Sequence, residues 1–168
     1  MYRSVVLAAL TVWLLSACAK DVQPAQEMPV AGPSHAATLD FQAVAGLNPG
    51  ATGQPAPVRV RIYELKNTAA FLRADYFALA DGPASTLGVD LIDQDEVLVQ
   101  PGARQVVVRD LDPATRHIGL VVGYREIDRA QWRTVLDASA PVARTHQISL
   151  GVRALHAGVI TPAARPAQ

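Results

Sequence analysis

Cys18 is the only cysteine in the chain, standing in LLSACAK at residues 14–20. It follows an apolar run and precedes a polar, proline-dotted segment. A single cysteine cannot form an intramolecular disulfide, so its thiol has another use or none. Other reactive side chains are scattered. His35, His117, His146 and His156 form no i,i+4 pair, and with no further cysteine no metal motif is present, so none is assigned a catalytic or metal-binding role. Asp90, Asp93, Asp95 and Glu96 offer the hard oxygens that calcium takes. They lack the glycine and the one-three-five spacing of a calcium loop, and read as a solvated turn. There is no G-x-S-x-G, and Ser85, Ser139 and Ser149 have no partnered histidine motif. No nucleophile, metal site or cofactor site stands out, and the chain does not read as an enzyme.

The setting of Cys18 is more informative. Val5–Leu15 is an apolar run of signal-peptide length behind Arg3, shorter than the roughly 20 residues that span a bilayer. Leu-Ser-Ala-Cys then matches the lipobox of bacterial lipoproteins. Residues 1–17 are expected to be a signal peptide, and Cys18 an acylated first residue of the mature chain. Each buried methylene adds about 0.8 kcal/mol of membrane affinity, so several acyl chains hold durably. Ala19 rather than aspartate after the cysteine favours the outer membrane, by resemblance to sorted lipoproteins. Residues 18–37 carry Pro24, Pro29, Gly32 and Pro33 with no apolar period, and read as a flexible tether. It reaches about 20–25 Å root-mean-square.

The 168 residues suit one domain with a core, and half of them are hydrophobic. A formal net charge of zero argues against a nucleic-acid partner.

The domain is expected over 38–154, with a fraying tail at 155–168. Leu39, Phe41, Ala43 and Ala45 alternate with Asp40 and Gln42 at strand period. Gly46–Pro57 follows, a connector with three glycines and three prolines, long enough to be functional or mobile. Val58–Leu65 is the clearest strand: Val58, Val60 and Ile62 point one way, Arg59, Arg61 and Tyr63 the other. The second set reads as a solvated face with Tyr63 covered. Asn67 and Asp75 could cap short helices through TAAFL and YFALA, in an insert at about 67–93. Phe71, Phe77, Leu79 and Leu87 would fold it against the sheet as a satellite core. Strands are then expected at Glu96–Val99 and Gln105–Leu111, as two arms about a type II turn at Pro101-Gly102. Ile118–Ile127 reads as central and buried on both faces in part, with Gly119 and Gly123 marking close approach or a bulge. Trp132–Leu136 and Arg144–Val152 complete the set. Trp132 reads as core or rim packing, and Arg125 and Arg133 are candidates to pair with Asp128 or Asp137. About seven or eight strands with close turn signals give an all-β, antiparallel two-sheet sandwich with a small helical insertion after the second strand.

PVRVRIYELKNTAAFLRADYFAL, LGVDLIDQDEVLVQPG and IGLVVGYREIDRAQWR together resemble the outer-membrane lipoprotein of the bacterial type VI secretion system, the TssJ (SciN/VasD) family. The likeness runs from about Leu39 to Val152. It implies a transthyretin-like β-sandwich, a lipid anchor at the periplasmic face of the outer membrane, and docking of the periplasmic C-terminal domain of the inner-membrane protein TssM. It also implies that the loop joining the first two strands takes part in that contact. Here that loop contains Leu47, Asn48, Pro49, Gly50, Ala51, Thr52, Gly53 and Gln54. Leu47-Asn48-Pro49 fits the family pattern, while Gly50–Gln54 is particular to this chain. The alternative is a periplasm-facing lipoprotein module for another ligand such as carbohydrate, which predicts exposed aromatics on a concave face.

Overall fold

The computed structural model describes residues 35–140 and 143–160. Cys18, the apolar run, the tether before His35 and the tail after Ile160 lie outside the described residues. Eight strands are present: β1 (Ala36–Ala43), β2 (Val58–Leu65), β3 (Leu91–Val99), β4 (Arg104–Asp110), β5 (His117–Val122), β6 (Arg133–Asp137), β7 (Arg144–Leu150) and β8 (Leu155–Ile160). They form two sheets, ordered β4-β1-β7-β8 and β3-β2-β5-β6.

The alternation read in the sequence builds the core between them. Leu39 and Phe41 from β1 and Ile148 and Leu150 from β7 meet Val58, Val60 and Ile62 from β2 and Ile118, Leu120 and Val122 from β5. Each such side chain contributes about 1.5–3 kcal/mol by leaving water. The outer face of β2 and β5 is also covered. Helices α1 (Ala69–Arg73), α2 (Tyr76–Asp81) and α3 (Pro83–Leu87) lay Phe71, Leu79 and Leu87 over Tyr63, Leu65 and Val121. The Asp75 carboxylate caps α2 by accepting from Ala78 N–H at 2.8 Å. Gly119 is required here, because a Cβ at that position would sit 2.7 Å from the Phe71 ring. Tyr63 donates its hydroxyl to Leu79 O at 2.7 Å, and burial pushes the phenol up to about 12, so it stays a donor.

Several expectations change. One of six strand pairs, β1–β7, is parallel rather than antiparallel. Parallel neighbours need a crossover; here it consists of the whole second sheet plus β4, which no local pattern reveals. Pro101-Gly102 forms a turn of the expected kind, with Gly102 at φ +72° and Ala103 N–H donating to Gln100 O at 3.1 Å. Its two arms, however, lie in different sheets, so the turn carries the chain across one side of the sandwich. β3 begins at Leu91, not Glu96, and β5 ends at Val122. Residues 155–160, expected as tail, form edge strand β8; only Leu155 is buried, which leaves almost no apolar alternation to read. Phe77 is 62 % exposed rather than part of the satellite core, since on α2 it points opposite to buried Leu79.

The side crossed by that turn is closed by charge. Glu64 on β2 points inward and is 2 % exposed. It accepts from Arg109 of β4 at 3.1 Å, from Thr115 Oγ1 at 2.8 Å and from Asp112 N–H at 3.1 Å. Arg109 also donates to Asp93 at 2.6 Å and Asp95 at 2.8 Å on β3. One guanidinium thus joins both sheets. Removing one partner of a buried pair strands the other's charge and costs about 3–5 kcal/mol. Arg109→Met should therefore lower the urea-unfolding free energy by about 3–5 kcal/mol, and Glu64→Gln by about 1–3 kcal/mol. Unfolding midpoints indistinguishable from the wild type would refute this closure.

His146, on the inner face of β7, is 1 % exposed and neither ring nitrogen has a hydrogen-bond partner among the described residues. Burial, and secondarily the Arg144 guanidinium, hold the imidazole below its usual pKa, with Asp137 opposing. The folded chain keeps this ring neutral where the unfolded chain binds a proton. Its contribution is therefore intact above about pH 6.5 and is lost as pH falls below that value. The free energy of unfolding should drop between pH 7 and pH 5, by at most about 1.4 kcal/mol per pH unit from this residue. The slope should flatten in His146→Leu; equal slopes in calorimetric melts of the two proteins would count against it.

Candidate functional site

The two ends of the sandwich differ. β1 starts at Ala36, beside the end of β4, the ends of β2 and β6 and the start of β7. The segment Gly46–Pro57, joining β1 to β2, lies at the opposite end with the 100–103 turn, residues 123–132 and residues 151–154.

This segment is tied down. Leu47 is fully buried in the core, and Ala56 N–H donates to Leu47 O at 3.0 Å, closing the loop at its base. Asn48 is 4 % exposed with φ +48°, a left-handed conformation that asparagine tolerates better than most residues. Its N–H donates to Val152 O at 3.1 Å. Its side chain donates Nδ2 to Pro57 O at 3.0 Å and accepts Arg125 N–H on Oδ1 at 2.8 Å. One residue thus joins both limbs of the loop to the β5–β6 and β7–β8 connections. Above it, Gly50 N–H donates to Gln54 O and Gly53 N–H to Gly50 O, each at 2.9 Å, with Gly53 at φ +79°. The Arg125 guanidinium lies against Gly50, where a side chain would collide with Nη1.

Of the eight residues singled out in the sequence, Leu47 and Asn48 face inward, Pro49 and Gly50 are half-buried, and Ala51, Thr52, Gly53 and Gln54 are exposed. Arg125 and Val152 were not legible as supports: nothing in a sequence connects Asn48 to an amide 77 residues away.

The remaining candidates disperse. Asp93 and Asp95 serve Arg109, while Glu96 lies within 3.6 Å of Arg59 and 4.0 Å of Arg61 on the outer face. No group of three or more His, Cys, Asp or Glu side chains that could hold a metal occurs among the described residues. A polar groove of about 440 Å³ runs between α2–α3 and β2–β3, lined by Arg61, Tyr63, Asp81, Pro83, Asp95 and Glu96. Trp132 is rim packing, edge-on to Tyr76 at 5.6 Å, and Tyr76 is edge-on to Phe77 at 5.3 Å. Arg133 pairs with no aspartate among the described residues. Its guanidinium lies 4.9 Å from the Trp132 ring and donates to Phe71 O and Ala74 O at 3.2 and 2.7 Å, satisfying carbonyls at the end of α1. Asp137 pairs instead with Arg144 at 3.3 Å. No described helix is long and apolar enough to cross a membrane.

Residues 35–153 match the family described as type VI secretion lipoprotein, VasD, EvfM, TssJ. Among solved structures, the chain is similar to the T6SS lipoprotein TssJ1 from Pseudomonas aeruginosa, with 46 % identity, 81 % of this chain and 100 % of that chain covered, and a TM-score of 0.73. It is similar to Serratia marcescens Lip, a membrane-bound component of the type VI secretion system (28 % identity, 75 % and 98 % covered, TM-score 0.69). A chain in a structure described as the T6SS protein TssM C-terminal domain from EAEC is 31 % identical, with 75 % and 98 % covered and a TM-score of 0.59. A search of curated proteins gave no match. The two-sheet arrangement with its insert after β2 matches that of the TssJ structures, and the family is one of structural lipoproteins rather than enzymes. On the extent of the family match and the likeness to TssJ1, this chain belongs to the type VI secretion lipoprotein family.

Proposed function

We propose that acyl groups on Cys18 anchor the chain at the periplasmic face of the outer membrane. There its Gly46–Pro57 loop docks the periplasmic C-terminal domain of TssM, linking the outer membrane to an inner-membrane protein. The observation that carries this reading is the buried Asn48, which fixes a charge-free loop at the end of the sandwich opposite Ala36. The point at which the chain enters the domain, Ala36, and the contact end are thereby separated by the length of the strands. A loop already held in one conformation loses little entropy on binding. The likeness to a chain in the structure described as the TssM C-terminal domain supports the choice of partner. Within the loop, Leu47 and Asn48 act as positioning residues, and the contact surface falls on Pro49–Gln54.

Titration calorimetry against the TssM C-terminal domain tests the docking. Replacing Ala51–Gln54 by four glycines should weaken binding about tenfold or more, equivalent to about 1.4 kcal/mol, with the thermal midpoint unchanged. Asn48→Ala should weaken binding too, and should cost about 1–3 kcal/mol of stability through its lost buried hydrogen bonds. Unaltered affinity in the four-glycine variant would remove the loop from the interface.

The anchor is tested separately. Cys18→Ser should abolish labelling by radioactive palmitate and shift the protein out of the outer-membrane fraction. Equal labelling of variant and wild type would place the acyl groups elsewhere.

A further inference from the structure

Strand β4 pairs on one side with β1, and its other side carries no strand among the described residues. The phase of its backbone is set at both ends of that ladder. Ala43 N–H donates to Ala103 O at 2.9 Å, and Leu111 N–H donates to His35 O at 2.7 Å. Antiparallel ladders alternate with period two. The odd-numbered residues of β4 therefore direct their backbone groups at β1, and Arg104, Val106, Val108 and Asp110 direct theirs outward from the sheet edge. The side chains of the same four residues share the outer face of the sheet, where Val106 is 51 % and Val108 68 % exposed.

Edge strands are normally guarded by charge, but the two arginines of β4 are engaged elsewhere. Arg109 is turned inward to Glu64, Asp93 and Asp95. Arg104 gives Nε and Nη2 to Asp40, both at 2.9 Å, which leaves Nη1 available. This pair is firm: the Arg104 hydrogen bonds hold the Asp40 carboxyl below the usual carboxylate range. Asp110 makes no ion pair among the described residues.

We propose that β4 pairs antiparallel with β4 of a second copy of this chain, about a two-fold axis through Val107. The sequence Arg-Gln-Val-Val-Val-Arg-Asp is self-complementary in that register. Arg104 lies opposite Asp110 of the second copy and Val106 opposite Val108, so every outward-pointing N–H and C=O of both strands finds a partner. A slip of one residue would set outward groups against inward ones, and a slip of two would leave an end residue unpaired and put Arg104 or Asp110, according to its direction, opposite a valine. Parallel pairing would set arginine beside arginine. The product is one continuous eight-stranded sheet, with the four valines forming an apolar strip between two Arg–Asp pairs. Opposite charges and β-branched residues directly across a ladder each add roughly 0.2–1 kcal/mol. The two-fold reverses strand direction, so the two Gly46–Pro57 loops project from opposite ends. The stretch from Cys18 to Ala36 reaches about 60 Å when extended, well over the roughly 24 Å length of β4, so anchoring in one membrane does not prevent the reversal. The pairing stands independently of the docking reading.

The test is hydrogen exchange and sedimentation equilibrium of the full chain in detergent micelles over a wide concentration range. Amides of Arg104, Val106, Val108 and Asp110 should gain protection as concentration rises, while those of Gln105, Val107 and Arg109 stay protected throughout. Val106→Lys with Val108→Lys should be monomeric, and Asp110→Arg, which sets like charges face to face, should weaken association about tenfold or more. Both substitutions are on the exposed face, and circular dichroism should show the sandwich intact. A wild-type chain that is monomeric at every concentration would overturn the proposal. So would a dimer indifferent to both variants, or protection of those amides that arises only when a different protein is added.

Discussion

A guanidinium held between three carboxylates keeps one side of this sandwich shut. Arg109 reaches from β4 to Glu64 on β2 and to Asp93 and Asp95 on β3. Most of a two-sheet core is closed by apolar contact, but on this side the inward-facing positions near Ala36 are charged. Burying such groups is costly unless their geometry is satisfied throughout, so the cluster tolerates only one placement of β4 relative to the second sheet. The far side is closed by backbone instead, through the Gln131–Ala154 bridge, with Gln131 N–H donating to Arg153 O and Leu155 N–H to Gln131 O, both at 2.9 Å. The two closures have different consequences for the edges beside them. The backbone bridge ties the start of β8 to the segment leading into β6. The charge cluster draws Arg109 inward and leaves the outward backbone of β4 without it.

The end that carries Gly46–Pro57 is organised by a single amide. Asn48 contributes one backbone and two side-chain hydrogen bonds, reaching the far limb of its own loop and two other connections. Its own left-handed backbone turns the chain from the core toward the surface. This explains how a loop of small residues and prolines holds a shape without charges or large side chains of its own. The support comes from beneath, from Leu47 and Asn48, and from the side, from Arg125. The exposed tip then has only Thr52 and Gln54 as polar side chains, so backbone and shape dominate what it offers to a partner.

How far the sequence revealed this follows from which interactions are local. Strands β1, β2 and β7 were visible because one face of each is in the core and the period-two pattern is intact, and β5 because a strand covered on both faces reads as a continuous apolar run. The cap at Asp75 was visible because a cap is a contact between near neighbours; ahead of α1 the capping position is Thr68, while Asn67 Oδ1 accepts from Ala69 N–H at 3.0 Å. Gly119 and Gly123 were flagged as places of close approach and are approached by Phe71 and by Tyr76 Oη. β8 was invisible because an edge strand with a single buried residue has no pattern. The acidic run read as a solvated turn is solvated, but from Asp93 onward it belongs to β3, where Asp93 and Asp95 meet Arg109 of β4, a contact with no local trace. The parallel β1–β7 pair and the Asn48–Arg125 contact were beyond reach for the same reason: both are tertiary choices with no local trace. The position of the β1–β2 connector was legible, but the division into inward Leu47 and Asn48 and outward Ala51–Gln54 required the fold.

That division bears on how load would travel through the molecule. β1 is a central strand, antiparallel to β4 on one side and parallel to β7 on the other. It begins at Ala36, where the chain arrives from Cys18, and runs directly into Leu47 and Asn48. In the proposed docking, membrane anchor and partner therefore pull on opposite ends of one strand, along its axis. A strand loaded this way is sheared rather than peeled, and its two ladders resist together instead of opening one bond at a time. Leu47, sunk in the core, and Asn48, bonded to the far limb of its own loop and to two other connections, lie where that strand hands the load to the rest of the end. The alternative arrangement, with the anchor joined to an edge strand such as β8, would let the same force unzip a single ladder. In the proposed docking, a molecule attached at both ends gains from having those ends on its central, doubly paired strand.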